Sequence, residues 1–86
     1  MKKVEFTYQP SEIGTWYLYA DMEGVTYSAK CTNQKLMNMI KSQDEDTALE
    51  AKKQAAELVL SKYGLMGSVI AEQDRKGTTL YYTEEP

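Results

Sequence analysis

Asp21-Met22-Glu23-Gly24 and Asp74-Arg75-Lys76-Gly77 decide the fold, because each sits between β-rich runs and one long helical pattern lies between them. An Asp at the first position of a type I turn, with a Gly at the fourth where positive φ is needed, folds a strand back on itself. The chain therefore reads as hairpin, helix, hairpin. Working outward from the first turn, residues 15–20 and 25–31 are its two arms, and their Trp16, Tyr17, Tyr19, Val25, Thr26 and Tyr27 suit a pleated surface. Two registers are open. A four-residue loop sets Trp16 and Leu18 opposite Ala29 and Tyr27, whereas a bulge at Gly24 pairs Tyr19 with Tyr27 and exchanges the two faces. Before this hairpin, Val4, Phe6 and Tyr8 alternate with Lys3, Glu5 and Thr7, the period-two pattern of a half-buried strand, until Pro10 and Gly14 break it.

Between the turns two helices are expected. Thr32 is placed to cap a short one over 33–42, with Cys31 and Leu36 as a hydrophobic staple. Thr47 and Glu50 have capping-box spacing and start a main helix that runs to Tyr63, where Gly64 fits the left-handed closing position and Leu65 can touch Leu60. On a helical projection Ala48, Ala51, Ala55, Ala56, Leu58, Val59 and Tyr63 share one side. Small residues at the centre of that stripe let a helix lie close to a sheet whose own side chains are large. Residues 69–73 and 78–83 are the arms of the second hairpin, and Glu84-Glu85-Pro86 reads as a frayed acidic tail. The prediction is a single α+β domain over residues 1–86. Its antiparallel sheet has about five strands, with a short and a long helix packed on one face, in the order two or three strands, two helices, two strands.

Composition narrows the function classes. With 42% hydrophobic and 27% charged residues the chain is ordinary for a globular domain. The start, Met1-Lys2-Lys3-Val4-Glu5-Phe6, lacks the continuous apolar stretch of a signal peptide, and no segment is apolar enough to span a bilayer, so a cytoplasmic setting without membrane contact is expected. Histidine is absent and Cys31 is the one cysteine, read as a small buried hydrophobe. Without histidine, a Gly-rich phosphate loop or a Gly-x-Ser-x-Gly elbow, the usual nucleophile and base pairs cannot be assembled. No enzyme activity, catalytic residue, cofactor or metal is expected. Asp44-Glu45-Asp46 is the nearest thing to a cation site, but it lacks calcium-loop spacing and better suits the positive end of a helix.

What remains is surface. Adjacent strand residues point to opposite faces, so Trp16 and Tyr17, or Tyr81 and Tyr82, cannot both lie in one core. The Trp is the larger and less polar group to bury, which leaves Tyr17 and Tyr19 as the expected partner-binding patch, joined by Glu5 and Lys30 if the four-residue loop holds. Exposed tyrosines are hot-spot material for protein binding and also stacking platforms for single-stranded nucleic acid. Lys52 lies inside the alanine stripe, either snorkelling along the packed face or aimed at an acidic partner. A net charge of −3 disfavours phosphate-rich ligands.

Ala51-Lys52-Lys53-Gln54-Ala55-Ala56 resembles the last helix of double-stranded-RNA-binding domains, in which lysines at the helix start meet phosphates. The run from Gly14 to Val25, followed by Asp46-Thr47-Ala48-Leu49-Glu50-Ala51, looks like HicB-type antitoxin domains. In size and layout the acidic, histidine-free strand-helix-strand chain is similar to small phage-encoded inhibitors of bacterial defence, the anti-CRISPR proteins among them. That likeness implies a non-enzymatic inhibitor of a larger protein or nucleoprotein complex in the host-cell cytoplasm. The alternative is a nucleic-acid-binding or antitoxin-like regulatory module that uses the sheet tyrosines with the helix lysines. A second copy of the chain is a further candidate partner.

Overall fold

A computed structural model describes residues 1–84; Glu85 and Pro86, the end of the expected acidic tail, lie outside the described residues. Five strands and two helices follow one another as β1 (Lys2–Pro10), β2 (Trp16–Met22), β3 (Val25–Cys31), α1 (Gln34–Ile40), α2 (Glu45–Ser61), β4 (Ser68–Asp74) and β5 (Gly77–Thr83). The strands form one antiparallel sheet in the order β3-β2-β1-β5-β4, with α2 lying across β2, β3 and β4 and α1 packed on α2. This is the α+β arrangement expected. All seven elements contribute to one core, in which Val4, Leu18, Ala20, Met22, Val69, Leu80 and Tyr82 of the sheet meet the helices.

The first hairpin is tighter than either expected register. Met22 pairs with Val25, so the loop is only Glu23-Gly24, with φ of 52° and 79°. Two successive positive φ values make a type I′ turn, whose twist matches that of the strands it joins. The turn therefore sits one residue later than the expected Asp21–Gly24 turn, and Asp21 instead accepts a hydrogen bond across the strands from the Thr26 hydroxyl. Trp16 faces Cys31 and Leu18 faces Ala29. That pairing differs from the four-residue-loop register by two residues, an even number, so the two faces are the ones that register assigns. The second turn is as expected: Asp74 Oδ1 accepts the Lys76 N–H at 2.8 Å, and Gly77 takes φ of 127°.

Both helix starts move. Asn33, not Thr32, caps α1, its Oδ1 accepting the Leu36 N–H at 3.1 Å, so the Cys31–Leu36 staple is out of register. Asp44 caps α2, and Thr47 donates its hydroxyl to Asp44 Oδ2 at 2.6 Å from inside the first turn. A carboxylate at the positive end of a helix explains why Asp44 displaces Thr47 as the cap. At the other end Leu65 N–H reaches Leu60 C=O and Gly64 N–H reaches Ser61 C=O, both at 3.1 Å, with Gly64 at φ of 82°. This is the Schellman closure expected. The helix itself stops at Ser61, short of Tyr63.

The buried stripe of α2 is Ala51, Ala55, Ala56, Val59 and Leu60. Leu58 and Tyr63, expected in it, are 50% and 52% exposed. Leu58 lies on the opposite flank from Leu60, and Tyr63 has left the helix. Tyr63 instead stacks edge-on against Tyr27 with ring centroids 5.0 Å apart, and its hydroxyl donates to Ser28 C=O at 2.8 Å. On the far side of the sheet Glu57 Oε2 accepts the Val69 N–H at 2.8 Å. Residues of α2 and its closing turn thus occupy backbone groups on both outer strands, the positions where an unpaired edge invites another chain.

Candidate functional site

Strand alternation puts Tyr17, Tyr19, Glu5 and Lys30 on the sheet face turned away from the helices. Tyr17 lies between Lys30 and Gln9, and Tyr19 between Ser28 and Thr7. Tyr17 is 37% exposed; Tyr19 is half-buried, its hydroxyl accepting from Gln9 Nε2 at 3.1 Å. Trp16, the alternative, points to the helix side, where it lies edge-on to Tyr8 and carries Lys41 Nζ 4.2 Å above its ring. Glu5 pairs with Asp21 across the strands and is balanced by Lys3 at 3.7 Å.

Sequence reasoning left Tyr81 unassigned and overlooked Ile70. They pair with each other, and Tyr81 also pairs with Lys3, on this same open face. Tyr82 takes the core position, its hydroxyl accepting the Gly67 N–H at 2.9 Å. Period-two alternation in β5 separates the two tyrosines, because Tyr82 shares the face of the aliphatic Leu80 while Tyr81 falls with Thr79 and Thr83. The charged strand residues of the face are Lys3 and Lys30 against Glu5, Asp21, Glu72 and Asp74, an acidic balance. At the turn end of the sheet, Lys2 Nζ is 3.2 Å from Glu23, whose carboxylate holds the Lys2 pKa above the usual lysine value.

Lys52 is elsewhere. It is half-buried on α2, above a place where the sheet divides. Pairing between β1 and β5 stops at Val4 and Leu80, and beyond it a cavity of about 470 Å³ separates Glu5, Phe6 and Thr7 from Thr78 and Thr79. Lys52 and Glu5 both line it, so the structure joins these two residues through the split, while Tyr17, Tyr19 and Lys30 lie on the open face away from it. On the helix side a second cavity of about 620 Å³, lined by Tyr8, Ile40, Leu49 and Lys52, adjoins the first. Of the other helix lysines, Lys53 is held by Glu50 at 3.0 Å and Lys62 is exposed at the helix end.

Among the described residues no group of three or more Cys, Asp or Glu side chains is placed to hold a metal ion, and Asp44 is committed to its cap. Cys31 is buried. None of the described helices is long and apolar enough to cross a membrane. Comparison of the chain with protein-family models, with curated proteins and with solved structures finds no match.

Proposed function

We propose that this chain is a small non-enzymatic binding protein that acts as an inhibitor, covering a surface of a larger protein or nucleoprotein complex with the sheet face that carries Tyr17 and Tyr19. The observation behind this reading is that both helices take one side of the sheet and leave the other bare. Tyr17, Tyr19, Tyr81 and Ile70 stand there among short hydroxyl side chains. Aromatic groups in a polar surround are the composition of protein-binding hot spots. The anti-CRISPR-like setting, in a host-cell cytoplasm, belongs to the same proposal.

A protein partner is favoured over nucleic acid by where the groups lie. The nucleic-acid reading needs the sheet tyrosines and the helix lysines to act together, yet Lys52, Lys53 and Lys62 belong to the helix layer on the opposite side. The tyrosine face itself carries more carboxylates than lysines. The experiment is affinity capture from bacterial lysates with the parent protein and with Tyr17→Ser/Tyr19→Ser. One specific partner retained by the parent and lost by the folded variant supports the proposal; equal retention by both, or none by either across plausible hosts, counts against it.

A further inference from the structure

We infer that the split between β1 and β5 is a strand-acceptor site, taking an extended peptide segment that brings a carboxylate side chain to Lys52. The inference begins with the direction of the backbone groups. In an antiparallel ladder the N–H and C=O of successive residues point alternately to one neighbouring strand and the other. Ser11 N–H donates to Thr15 C=O at 3.0 Å, which turns the odd-numbered residues of β1 toward β2. Ser28, whose main chain meets Tyr63, and Val69, whose N–H meets Glu57, fit the same parity on the outer strands. The even-numbered residues of β1 therefore point at β5. Lys2 and Val4 find Tyr82 and Leu80 there. Phe6 and Tyr8 find no strand, because the register has ended, and Thr78 stands in the same condition on the facing wall. Pro10, with no N–H to offer, closes the row at its far end.

A row of strand donors and acceptors is matched by another extended main chain, the way sheets add peptides. Each outer edge of this sheet has one backbone residue met by a side chain, Ser28 by Tyr63 and Val69 by Glu57. The inner edge has a cavity of about 470 Å³ instead, within the range of ligand-binding clefts. Alternate residues of a guest strand would turn to the helix side and meet Phe6, Tyr8, Leu49 and Lys52. Lys3 and Lys53 are paired with Glu5 and Glu50, and Lys41 lies over Trp16. Lys52, half-buried, has no ion pair or hydrogen bond among the described residues. A guest carboxylate supplies its missing counter-charge, and apolar guest residues pack against Phe6 and Tyr8. This site is separate from the tyrosine surface and does not depend on it.

The test uses the full chain and a capped, fluorescein-labelled peptide of alternating valine and threonine with one central glutamate, followed by anisotropy and by amide NMR of isotope-labelled protein. Saturable binding is expected, with amide shifts and slowed hydrogen exchange at Phe6, Tyr8 and Thr78. Replacing the peptide glutamate by lysine, or Lys52→Gln in the protein, weakens binding about tenfold or more, while Lys52→Arg retains it. N-methylating the peptide main chain on the paired side abolishes binding, and Tyr17→Ser/Tyr19→Ser binds like the parent. The inference is overturned by absence of binding at millimolar peptide, by indifference to N-methylation or to the glutamate, by shifts confined to other surfaces, or by Phe6 and Tyr8 amides already as slow to exchange as Val4 in the free protein. The peptide substitution needs no protein variant, so a misfolded Lys52 variant cannot mask the answer.

Discussion

Glu57 on the main helix accepts the N–H of Val69 on the outer strand β4 at 2.8 Å, supplying the hydrogen bond that a neighbouring strand would otherwise make. The helix therefore fixes its position along the sheet by a polar contact as well as by its alanine stripe. Removing the acceptor leaves a part-buried donor without a partner, at a cost of about 1–3 kcal/mol. Glu57→Ala should lose that much in urea denaturation and expose the Val69 amide to exchange. Glu57→Gln keeps an oxygen in place and should lose less. Equal stability of Glu57→Ala and the parent would show that the contact adds nothing to the fold.

Gly67 is required for space, not for backbone freedom. A Cβ there would collide with Thr83 O and stand 2.8 Å from the Tyr82 ring, and a backbone oxygen in a paired strand cannot step aside cheaply. Gly67→Ala should destabilise by about 1–3 kcal/mol, and more if the bond from Gly67 N–H to the Tyr82 hydroxyl is lost with it. Thermal unfolding measures this directly. An unchanged melting temperature would mean that this segment is not held against β5.

Ala55 is fully buried in the stripe of α2. Ala55→Leu adds three carbons to a close-packed contact and should cost about 1–3 kcal/mol. A variant as stable as the parent would show slack in this contact.

The parts of the fold legible in the chain are those set by near neighbours. The alternation around Val4, Phe6 and Tyr8, the Asp74–Gly77 turn, the Gly64 closure and most of the alanine stripe each depend on spacings of a few residues. The first turn falls one residue later than its Asp and Gly suggest because its positive φ falls partly on Glu23, and a non-glycine residue gives no signal of that conformation. The start of α2 is ambiguous in the chain because Asp44 and Thr47, three residues apart and bonded to each other, are both competent caps. Leu58 and Leu60 flank the stripe symmetrically, so which is buried depends on how the helix is rolled on its neighbours. For the candidate site, alternation and the size of Trp16 point to Tyr17 and Tyr19, whereas Lys30 and Glu5 join them because the observed two-residue loop differs from the four-residue register by an even number. The same alternation, read from Leu80, gives Tyr82 to the core and Tyr81 to the open face, whereas the split beneath Lys52 depends on strand order, which is a long-range property.

Oligonucleotide binding separates the two functional classes. A chain with net charge −3, its tyrosine face bearing four carboxylates against two lysines, should show no gel shift with single-stranded or duplex probes at physiological salt. Micromolar binding that weakens steeply with added salt would favour the nucleic-acid alternative.

Titration of the captured partner against the parent and against Tyr17→Ser/Tyr19→Ser, by calorimetry, tests the working face most directly. Both side chains point away from the core, so the double variant should melt close to the parent. Its affinity should fall by about thirtyfold or more, the loss of about 2 kcal/mol or greater that marks a hot spot. An unchanged affinity in a folded variant would contradict the assignment of this face, and collapse of the variant's fold would show that the two rings hold the sheet together instead.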